Sequence, residues 1–448
     1  MHPTGISYFF LRGNMNVESK MKIIGGNPLK GRIFAQGAKN AALPVMAAAI
    51  LLKGEKLTLN RVPNLLDVVT MADLLRSLGA SVVFNDQVME ISTPTEISWE
   101  TPPDLVRKMR ASSLVLGPLL ARCGRAVMPL PGGCSIGSRP IDLHLKGLTR
   151  MGATIELVHG AVHARANGLK GCRIYLDFPS VGATENLMMA AVFAKGETVL
   201  ENTAREPEIF NLVEALRSMG AVIEADGTGV VRVHGVDSLS SAGVTIIPDR
   251  IEASTYILAG AATNGEVTVS NIIPNHIDSL LAKLEEAGAS LTINDTEVTI
   301  HPSQRLKAVS LKTLPYPGFP TDLQPQVMVA LCLAEGTSIV QESVFQSRFL
   351  HVSELNKMGA KIDIQSNSAI INGVEALAGA DVVATDLRAG AALIIAGLSA
   401  HDATCVRNLG HVFRGYEKIE EKLKAIGADI TILPSTEELK GGSVTASP

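Results

Sequence analysis

The hydrophobic pattern of the chain changes its period repeatedly, and the same change recurs along the whole length. An amphipathic helix ends in an apolar residue followed by Gly-Ala, and alternating apolar and polar residues then predict a strand. Glycine closes a helix in the left-handed conformation that other residues avoid. The phrase occurs six times at intervals of 68 to 73 residues, with its glycines at Gly79, Gly152, Gly220, Gly288, Gly359 and Gly427. One structural unit is therefore repeated six times.

A second recurring segment is a helix rich in alanine and other apolar residues, followed by a turn and a strand. Examples are residues 41–48, 186–191, 254–259 and 327–330. Because these helices are apolar on nearly every face, we expect them to be buried and closely packed. Each unit then consists of a strand, a helix, a strand, a helix and a hairpin, with the apolar helix in the interior.

The sixth unit lacks the end of its hairpin, because the chain becomes polar and rich in Gly, Ser and Thr near its C-terminus. Residues 24–33 resemble the hairpin segment 371–380, so we expect the N-terminal strand to complete the sixth unit. The pattern predicts an α/β fold with two domains of three units each. Their predicted bounds are 37–246 for the first domain and 21–36 plus 247–433 for the second, with a disordered extension at 1–20 and a flexible tail at 434–448.

The chain would cross between these domains twice, near Gln36 and Ile247, which forms a double hinge beside a cleft. Ligands favour such clefts between domains.

Composition narrows the class of protein. The formal net charge of −4 gives no basic surface for a nucleic acid, and no apolar run reaches the ~18 residues of a membrane span. Five cysteines, an odd number, do not form a disulfide framework and are typical of a reducing compartment. We therefore expect a cytoplasmic protein that acts on small molecules. Four of the cysteines lie in or beside apolar runs and are expected to be buried and unreactive: Cys123, Cys172, Cys332 and Cys405.

The fifth cysteine, Cys134, lies in a glycine-rich loop that leads into a proline-opened helix at residues 131–144. Pro140 suits the first helical turn, where its missing N–H has no consequence. Arg139 and the nearby helix N-terminus favour a thiolate, the setting of a reactive cysteine. The alternative is a flexible surface loop that holds an idle thiol.

Charged residues recur in two equivalent loops of the units. The loops before the apolar helices carry Lys39 with Asn40, Arg110, Glu185, Arg250 with Glu252, Asp322 and Arg388. The loops after the next strands carry Asp67, Cys134 with Arg139, Arg205 with Glu206, His276, Arg348 and Arg414. Equivalent loops of like units meet at one end, and anions bind at helix N-termini. We expect a cationic pocket for a substrate with phosphate and carboxylate groups; ordinary solvated loop charges are the alternative.

Seven segments in matching order carry a family resemblance: 37–44, 109–112, 131–144, 180–186, 320–322, 385–389 and 414–417. The chain resembles the enolpyruvyl transferase family, and within it the enzymes that act on UDP-N-acetylglucosamine. The resemblance covers essentially residues 21–432. It implies a two-domain inside-out α/β barrel, with parallel helices buried in each domain and the sheets outside.

The resemblance also implies a reaction. The enolpyruvyl group of phosphoenolpyruvate would pass to the 3-hydroxyl of UDP-N-acetylglucosamine by addition and elimination, with release of phosphate. This is the first committed step of peptidoglycan precursor synthesis, and it needs no metal and no other cofactor. Fosfomycin alkylates the loop thiol in this family, so Cys134 implies sensitivity to that inhibitor.

Site residues follow from the same resemblance. Cys134 would be the acid that protonates phosphoenolpyruvate and can form a covalent adduct, while Asp322 would accept or orient the sugar hydroxyl. Lys39, Arg139, Arg388 and Arg414 would hold the phosphate and carboxylate groups. The implied catalytic residues are Cys134, Asp322, Lys39 and Arg414. The other implied substrate contacts are Asn40, Arg110, Arg139, Pro140, Ile141, Asp142, Leu143, Ser180, Val181, Gly182, Val344 and Arg388, with Glu185 and Asp249 as supporting residues.

Two other functions stay open. The sister enzyme that uses shikimate 3-phosphate shares the fold and the donor but lacks the cysteine loop. A non-catalytic six-unit binding protein, with an idle Cys134, is the second alternative.

Overall fold

The computed structural model describes residues 19–131 and 141–434. Three predicted site residues, Cys134, Arg139 and Pro140, lie outside the described residues. So do nearly all of the predicted N-terminal extension and C-terminal tail.

The described residues contain 23 strands. They are β1 Lys20–Ile24, β2 Lys30–Phe34, β3 Glu55–Asn60, β4 Ser81–Asn85, β5 Val88–Thr93, β6 Arg125–Pro129, β7 Thr154–Val158, β8 Ala161–Arg165, β9 Arg173–Tyr175, β10 Glu197–Glu201, β11 Val222–Ala225, β12 Val230–His234, β13 Ala242–Thr245, β14 Glu266–Ser270, β15 Ser290–Asn294, β16 Glu297–His301, β17 Leu311–Lys312, β18 Thr337–Gln341, β19 Lys361–Gln365, β20 Ser368–Asn372, β21 Asp381–Val383, β22 Ala403–Arg407 and β23 Asp429–Leu433.

Thirteen α-helices lie in the same ranges. They are α1 Lys39–Ala48, α2 Leu66–Ser77, α3 Pro103–Lys108, α4 Leu116–Cys123, α5 Asp142–Arg150, α6 Val181–Ala191, α7 Pro207–Ser218, α8 Arg250–Ala262, α9 Asp278–Glu286, α10 Gln324–Leu333, α11 Val352–Lys357, α12 Leu387–Ser399 and α13 Ile419–Ala425. Five 3₁₀ turns accompany them, at Ala49–Leu51, Arg110–Val115, Pro274–Ile277, Thr321–Leu323 and Leu409–Arg414.

The strands form six small sheets, one for each predicted unit. In the fifth unit, α10 connects the parallel strands β17 and β18, and the hairpin of β19 and β20 completes the order β17-β18-β20-β19. Four other sheets repeat this order, and the sheet of β6, β8 and β7 has three strands. The six glycines that define the repeat all have positive φ, from 88° to 108°. The predicted six-fold repeat is therefore confirmed.

The N-terminal strand β1 lies in the sheet of the sixth unit. It pairs antiparallel with β22, where Met21 lies opposite Val406, and with β23, where Met21 lies opposite Ile432. The order β21-β22-β1-β23 gives β1 the position that β20 has in the fifth unit. The strand that the sixth unit lacks is thus supplied by β1, which lies between β22 and β23 in the sixth sheet.

Two strands are exchanged where the chain crosses between its halves. Strand β2 pairs with β14 of the second half but leads into α1 of the first, and β13 pairs with β3 of the first half but leads into α8 of the second. The two connections run antiparallel: the Ala38 amide donates to the Ile247 carbonyl at 2.7 Å, and the Asp249 amide donates to the Gln36 carbonyl at 2.8 Å. The crossings are therefore bonded to each other.

The buried apolar side chains form two separate cores. One core contains α1, α4 and α6 and draws its residues from 38–246. The other contains α8, α10 and α12 and draws on 21–35 and 251–430. These central helices are buried on nearly all sides, as predicted. We propose on this basis that the domains are 37–246 and 21–36 plus 247–433.

Close backbone approach explains a glycine that recurs after the hairpin. The residues that follow β12 and β20 pass over the end of a central helix, where the Val236 amide donates to the Val192 carbonyl at 2.8 Å. A Cβ atom on Gly235 would lie 1.7 Å from the Ala194 carbonyl oxygen, and one on Gly373 would lie 1.7 Å from that of Ala334. Only glycine leaves room for this approach.

The expected burial of the four apolar-run cysteines is wrong for three of them, although desolvation raises the pKa of those three thiols as well. Cys332, inside α10, is buried, and burial raises the pKa of its thiol to about 12. The other three, Cys123, Cys172 and Cys405, are partly exposed. They lie at the end of α4, in the loop before β9 and on β22, where an apolar neighbourhood in sequence does not ensure burial.

Candidate active site

The predicted site residues gather at the N-termini of the central helices. Lys39 begins α1, Arg110 begins the turn ahead of α4, Ser180 precedes α6, Asp322 precedes α10, and Arg388 is the second residue of α12. The N-terminus of a helix carries unpaired N–H groups and partial positive charge, which favours anions. This end of the fold is therefore suited to an anionic ligand.

Asp67 joins residues of both halves into one ionic cluster. Its carboxylate lies 3.0 Å from Lys39 Nζ and 2.8 Å from Arg414 Nε, although Arg414 is 347 positions away in the chain. Burial by itself would raise the pKa of Asp67, but the charges of Lys39 and Arg414 outweigh burial and lower it. The two cations are thus held side by side by an ionised carboxylate.

Asp322 is the centre of a second cluster. Its Oδ1 accepts a hydrogen bond from Arg348 Nη2 and its Oδ2 accepts one from Arg388 Nη2, both at 2.9 Å. Both arginines are buried, while the Asp322 side chain is 29% exposed. Burial opposes the charge of Arg388, but Asp322 outweighs it and raises the pKa of the guanidinium. Two permanently charged guanidinium groups thus bind one accessible carboxylate.

Tyr416 links the two clusters. It lies two residues after Arg414, and its hydroxyl accepts a hydrogen bond from Arg388 Nη1 at 3.3 Å. The same hydroxyl lies 2.9 Å from Thr255 Oγ1 and 3.2 Å from Gln326 Nε2, so the ring is fixed in the second core. The segment that carries Arg414 is therefore hydrogen-bonded to Arg388 of the second cluster.

A third group of predicted residues meets on the first domain. His144 of α5 lies against the start of α6, where a Cβ on Gly182 would be 3.1 Å from His144 Nε2. Burial, followed by the charge of Arg110, lowers the pKa of His144 to about 4, so it is neutral near pH 7. Ser180 caps α6 by accepting a hydrogen bond from the Ala183 amide. The implied nucleotide contacts Ile141, Asp142, Leu143, Val181 and Gly182 flank this junction.

Val344 lies close to the Asp322 cluster. Its amide donates to Glu342 Oε1 at 2.8 Å, and Glu342 Oε2 accepts from Thr321 Oγ1, next to Asp322, at 2.9 Å. Asn40 follows Lys39 on α1 and is exposed. Both residues therefore lie beside the ionic clusters.

Asp249 and Glu185, the predicted supporting residues, are both buried. Asp249 caps α8 by accepting from the Ile251 and Glu252 amides at 2.9 and 3.0 Å. Glu185 Oε1 has no partner among the described residues. Burial, together with Glu208 and Glu206, raises the pKa of Glu185 well above its usual value, which favours a neutral carboxyl group.

Not every loop cation joins the anion-binding end. Arg250 is bound to Glu208, with Nε 3.0 Å from Oε1, and its guanidinium faces the Tyr316 ring. Arg205 is exposed. The loop cations therefore do not form one pocket as predicted. Arg250 forms a separate ion pair with Glu208.

Sequence reasoning counted Asp67 and Arg348 among the loop charges of the expected pocket without giving either a specific contact, and it gave Tyr416 no role. Asp67 and Arg348 occupy the same repeat position as Arg414, so the six-fold alignment carried a signal for them. The contact of the Tyr416 hydroxyl with Arg388 had no such signal. Between 19–131 and 141–434, no helix is both long and apolar enough to cross a membrane, and no three His, Cys, Asp or Glu side chains are grouped to hold a metal ion.

Comparison with known proteins identifies the family to which this sequence is similar. The sequence model of the family described as EPSP synthase (3-phosphoshikimate 1-carboxyvinyltransferase) matches residues 23–423. UDP-N-acetylglucosamine 1-carboxyvinyltransferase 2 of Carboxydothermus hydrogenoformans is 54% identical over 92% of this chain and 98% of its own length. UDP-N-acetylglucosamine 1-carboxyvinyltransferase of Halothermothrix orenii is 54% identical over 92% and 99%.

Two solved structures share the fold. The enolpyruvyl transferase NikO from Streptomyces tendae superposes with a TM-score of 0.85 at 27% identity, over 93% of this chain and 100% of that one. EPSP synthase from Acinetobacter baumannii gives a TM-score of 0.73 at 18% identity, over 93% and 100%, which bears on the fold alone. The predicted inside-out α/β fold is confirmed.

Proposed function

The chain belongs to the enolpyruvyl transferase family, and from this premise we propose that it transfers the enolpyruvyl group of phosphoenolpyruvate to the 3-hydroxyl of UDP-N-acetylglucosamine. Phosphate is released, and the product enters peptidoglycan precursor synthesis in the cytoplasm. The acceptor is inferred from the names of the half-identical relatives. The observation that carries the proposal is the pair of cation clusters, each bridged by an aspartate, at the N-termini of the central helices.

Phosphoenolpyruvate has a phosphate and a carboxylate, and each can replace an aspartate as the partner of a cluster. Lys39 and Arg414, held 3.0 and 2.8 Å from Asp67, would take the phosphate. Arg388 and Arg348, each 2.9 Å from Asp322, would take the carboxylate through planar, doubly hydrogen-bonded contacts. Arg139, outside the described residues, is proposed as a further phosphate contact from the family resemblance.

Asp322 gains a second role when the carboxylate binds. An incoming carboxylate competes for Arg348 and Arg388, which frees an oxygen of Asp322 to accept the proton of the sugar hydroxyl. In the addition step the hydroxyl oxygen bonds to C2 of phosphoenolpyruvate, and a proton from Cys134 adds to C3. In the elimination step the bond from C2 to the phosphate oxygen breaks, a proton leaves C3, and the C2–C3 double bond returns.

The UDP part of the acceptor is proposed to bind at the junction of α5 and α6. Arg110, Ile141 to Leu143 and Ser180 to Gly182 meet there, with Pro140 outside the described residues. The helix N-termini offer N–H groups to a diphosphate. Asn40 and Val344, beside the two ionic clusters, are proposed as contacts to the sugar.

The test is phosphate release from phosphoenolpyruvate by the full chain, with UDP-N-acetylglucosamine, with shikimate 3-phosphate, or without acceptor. We expect release with UDP-N-acetylglucosamine only. Cys134→Ala and Asp322→Asn should abolish release, while Cys172→Ala, which alters a thiol elsewhere, should not. Fosfomycin should inhibit the unaltered chain through Cys134.

Each contrary result has a distinct meaning. Release with shikimate 3-phosphate alone would favour the sister activity. No release with either acceptor would favour the non-catalytic binding protein. Full activity of Cys134→Ala would remove the thiol from the mechanism.

A further inference from the structure

Gln36 lies in the first connection between the two halves, and its side chain reaches the segment that carries Arg414. The residue is 8% exposed. Its Nε2 donates to the Gly415 carbonyl at 3.2 Å, and its Oε1 accepts from the Glu417 amide at 3.0 Å. Both the donor and the acceptor of the side-chain amide therefore form hydrogen bonds with backbone groups next to Arg414.

The backbone of Gln36 is fixed as firmly as its side chain. Its N–H donates to Glu252 Oε2 at 2.8 Å, and its carbonyl accepts from the Asp249 amide of the second connection at 2.8 Å. Glu252, fully buried, also accepts from Lys422 Nζ at 2.6 Å and from the Tyr256 hydroxyl at 3.2 Å. A movement of the crossing therefore moves Gln36 and, with it, Gly415 to Glu417.

Residues 414–417, here called the Arg414 segment, are hydrogen-bonded to the Gln36 side chain and contact both halves of the molecule. Arg414 reaches Asp67 in the first half, and Tyr416 reaches Arg388 in the second. Glu417 Oε2 accepts from the Asn64 amide of the first half at 3.3 Å. The segment can hold Arg414 toward Lys39 only while its own backbone stays in place.

We propose that Gln36 is a positioning residue that orients Arg414 in the anion site and couples that orientation to the connection between the halves. The proposal rests on the proposed function, in which Arg414 binds the phosphate of phosphoenolpyruvate. Gln36 itself touches no substrate group in this account. Its effect should therefore appear in the affinity for the phosphate-bearing substrate.

Gln36→Met keeps the length of the side chain and removes both hydrogen bonds to the Arg414 segment. Misplacing a binding cation reduces affinity, and we expect the KM for phosphoenolpyruvate to rise about tenfold. The KM for UDP-N-acetylglucosamine should change less than about twofold, because its proposed contacts lie elsewhere. Calorimetric titration of the full chain with inorganic phosphate should show the same loss without any turnover.

Asn211→Leu is the matched control. The Asn211 side-chain amide also forms two hydrogen bonds with backbone groups, here in the second connection: it donates to the Thr245 carbonyl at 3.1 Å and accepts from the Ile247 amide at 3.2 Å. It has no bond to the Arg414 segment. Both variants should lower the melting temperature, but only Gln36→Met should weaken phosphate binding.

A double-variant experiment separates positioning from general loosening. In an Arg414→Lys background, Gln36→Met should add less than about twofold to the KM for phosphoenolpyruvate, because residues that act as a unit are not additive. An equal loss of phosphate affinity in Asn211→Leu, or a full tenfold effect in the Arg414→Lys background, would overturn the proposal. If the unaltered chain binds phosphate but releases none from phosphoenolpyruvate, the proposed function fails while the phosphate titrations still test Gln36.

Discussion

Asp67→Asn removes the negative charge between Lys39 and Arg414 and leaves the shape of the side chain nearly unchanged. Taking one partner from a buried ion pair costs about 3–5 kcal/mol. Asp67 is buried, but the Arg414 side chain is 36% exposed, so water screens part of the repulsion that is left. We therefore expect a loss of about 2 kcal/mol. For a domain of roughly 200 residues this corresponds to a fall of about 6 °C in melting temperature.

Scanning calorimetry of the full chain at pH 7 measures this fall, and Asp73→Asn provides its control. Asp73 lies on the same helix, α2, and pairs with Arg76 at 2.8 Å, but both side chains are nearly half exposed. Exposed pairs contribute little, so the control should melt within about 1 °C of the unaltered chain. Equal shifts for the two variants would refute the reasoning.

The pH dependence gives a second check on Asp67. Its folded pKa is lowered below 3.8, so its contribution is fully present above the unfolded pKa and is lost only as pH falls through the folded value. The difference between Asp67→Asn and the unaltered chain should therefore stay constant from pH 8 to pH 5. A difference that shrinks over this interval would mean that the pKa is raised instead.

Two further predictions concern stability. Glu185 has a folded pKa well above 4.5, so the unaltered chain loses stability as pH rises from about 4.5 toward the folded pKa. Over that interval the melting temperature of Glu185→Gln should rise relative to that of the unaltered chain, and parallel melting profiles above about pH 5 would contradict the raised pKa. Gly373→Ala places a Cβ 1.7 Å from a carbonyl oxygen and should lower the free energy of unfolding by about 3 kcal/mol or more in denaturant titration. In the control Gly243→Ala the Cβ meets nothing within 4 Å, so the free energy of unfolding should change by less than about 1 kcal/mol. Equal effects would show that the backbone at Gly373 moves to accommodate the Cβ.

The repeat was predictable because its signals are local. Each helix-ending glycine has positive φ, and each central helix is apolar on nearly every face, so the sequence reveals both without knowledge of the tertiary structure. The same repeat placed the loops of Lys39, Asp322 and Arg414 at one end of the fold. The position of β1 followed from a missing hairpin strand at the other end of the chain.

What sequence could not supply depends on how the two halves meet. Asp67 and Arg414 are equivalent loop residues, but equivalence does not show that they face each other across a 347-residue separation. The repeat predicted that the chain crosses between the halves near Gln36 and Ile247, but it did not reveal that β2 pairs with β14 and β13 with β3. The role of Cys134 stays a prediction, because it lies outside the described residues.

The pairing of β1 with the last two strands sets an order of events during synthesis. The first domain has all its strands once β13 leaves the ribosome, whereas β1 waits for β22 and β23. At about 5–20 residues per second, the 409 residues from the end of β1 at Ile24 to the end of β23 at Leu433 take roughly twenty to eighty seconds to synthesise. During this time β1 keeps its unpaired backbone edges, a known route to aggregation. The nascent chain is thus vulnerable at β1, and a chaperone that holds this strand would protect it until β23 arrives.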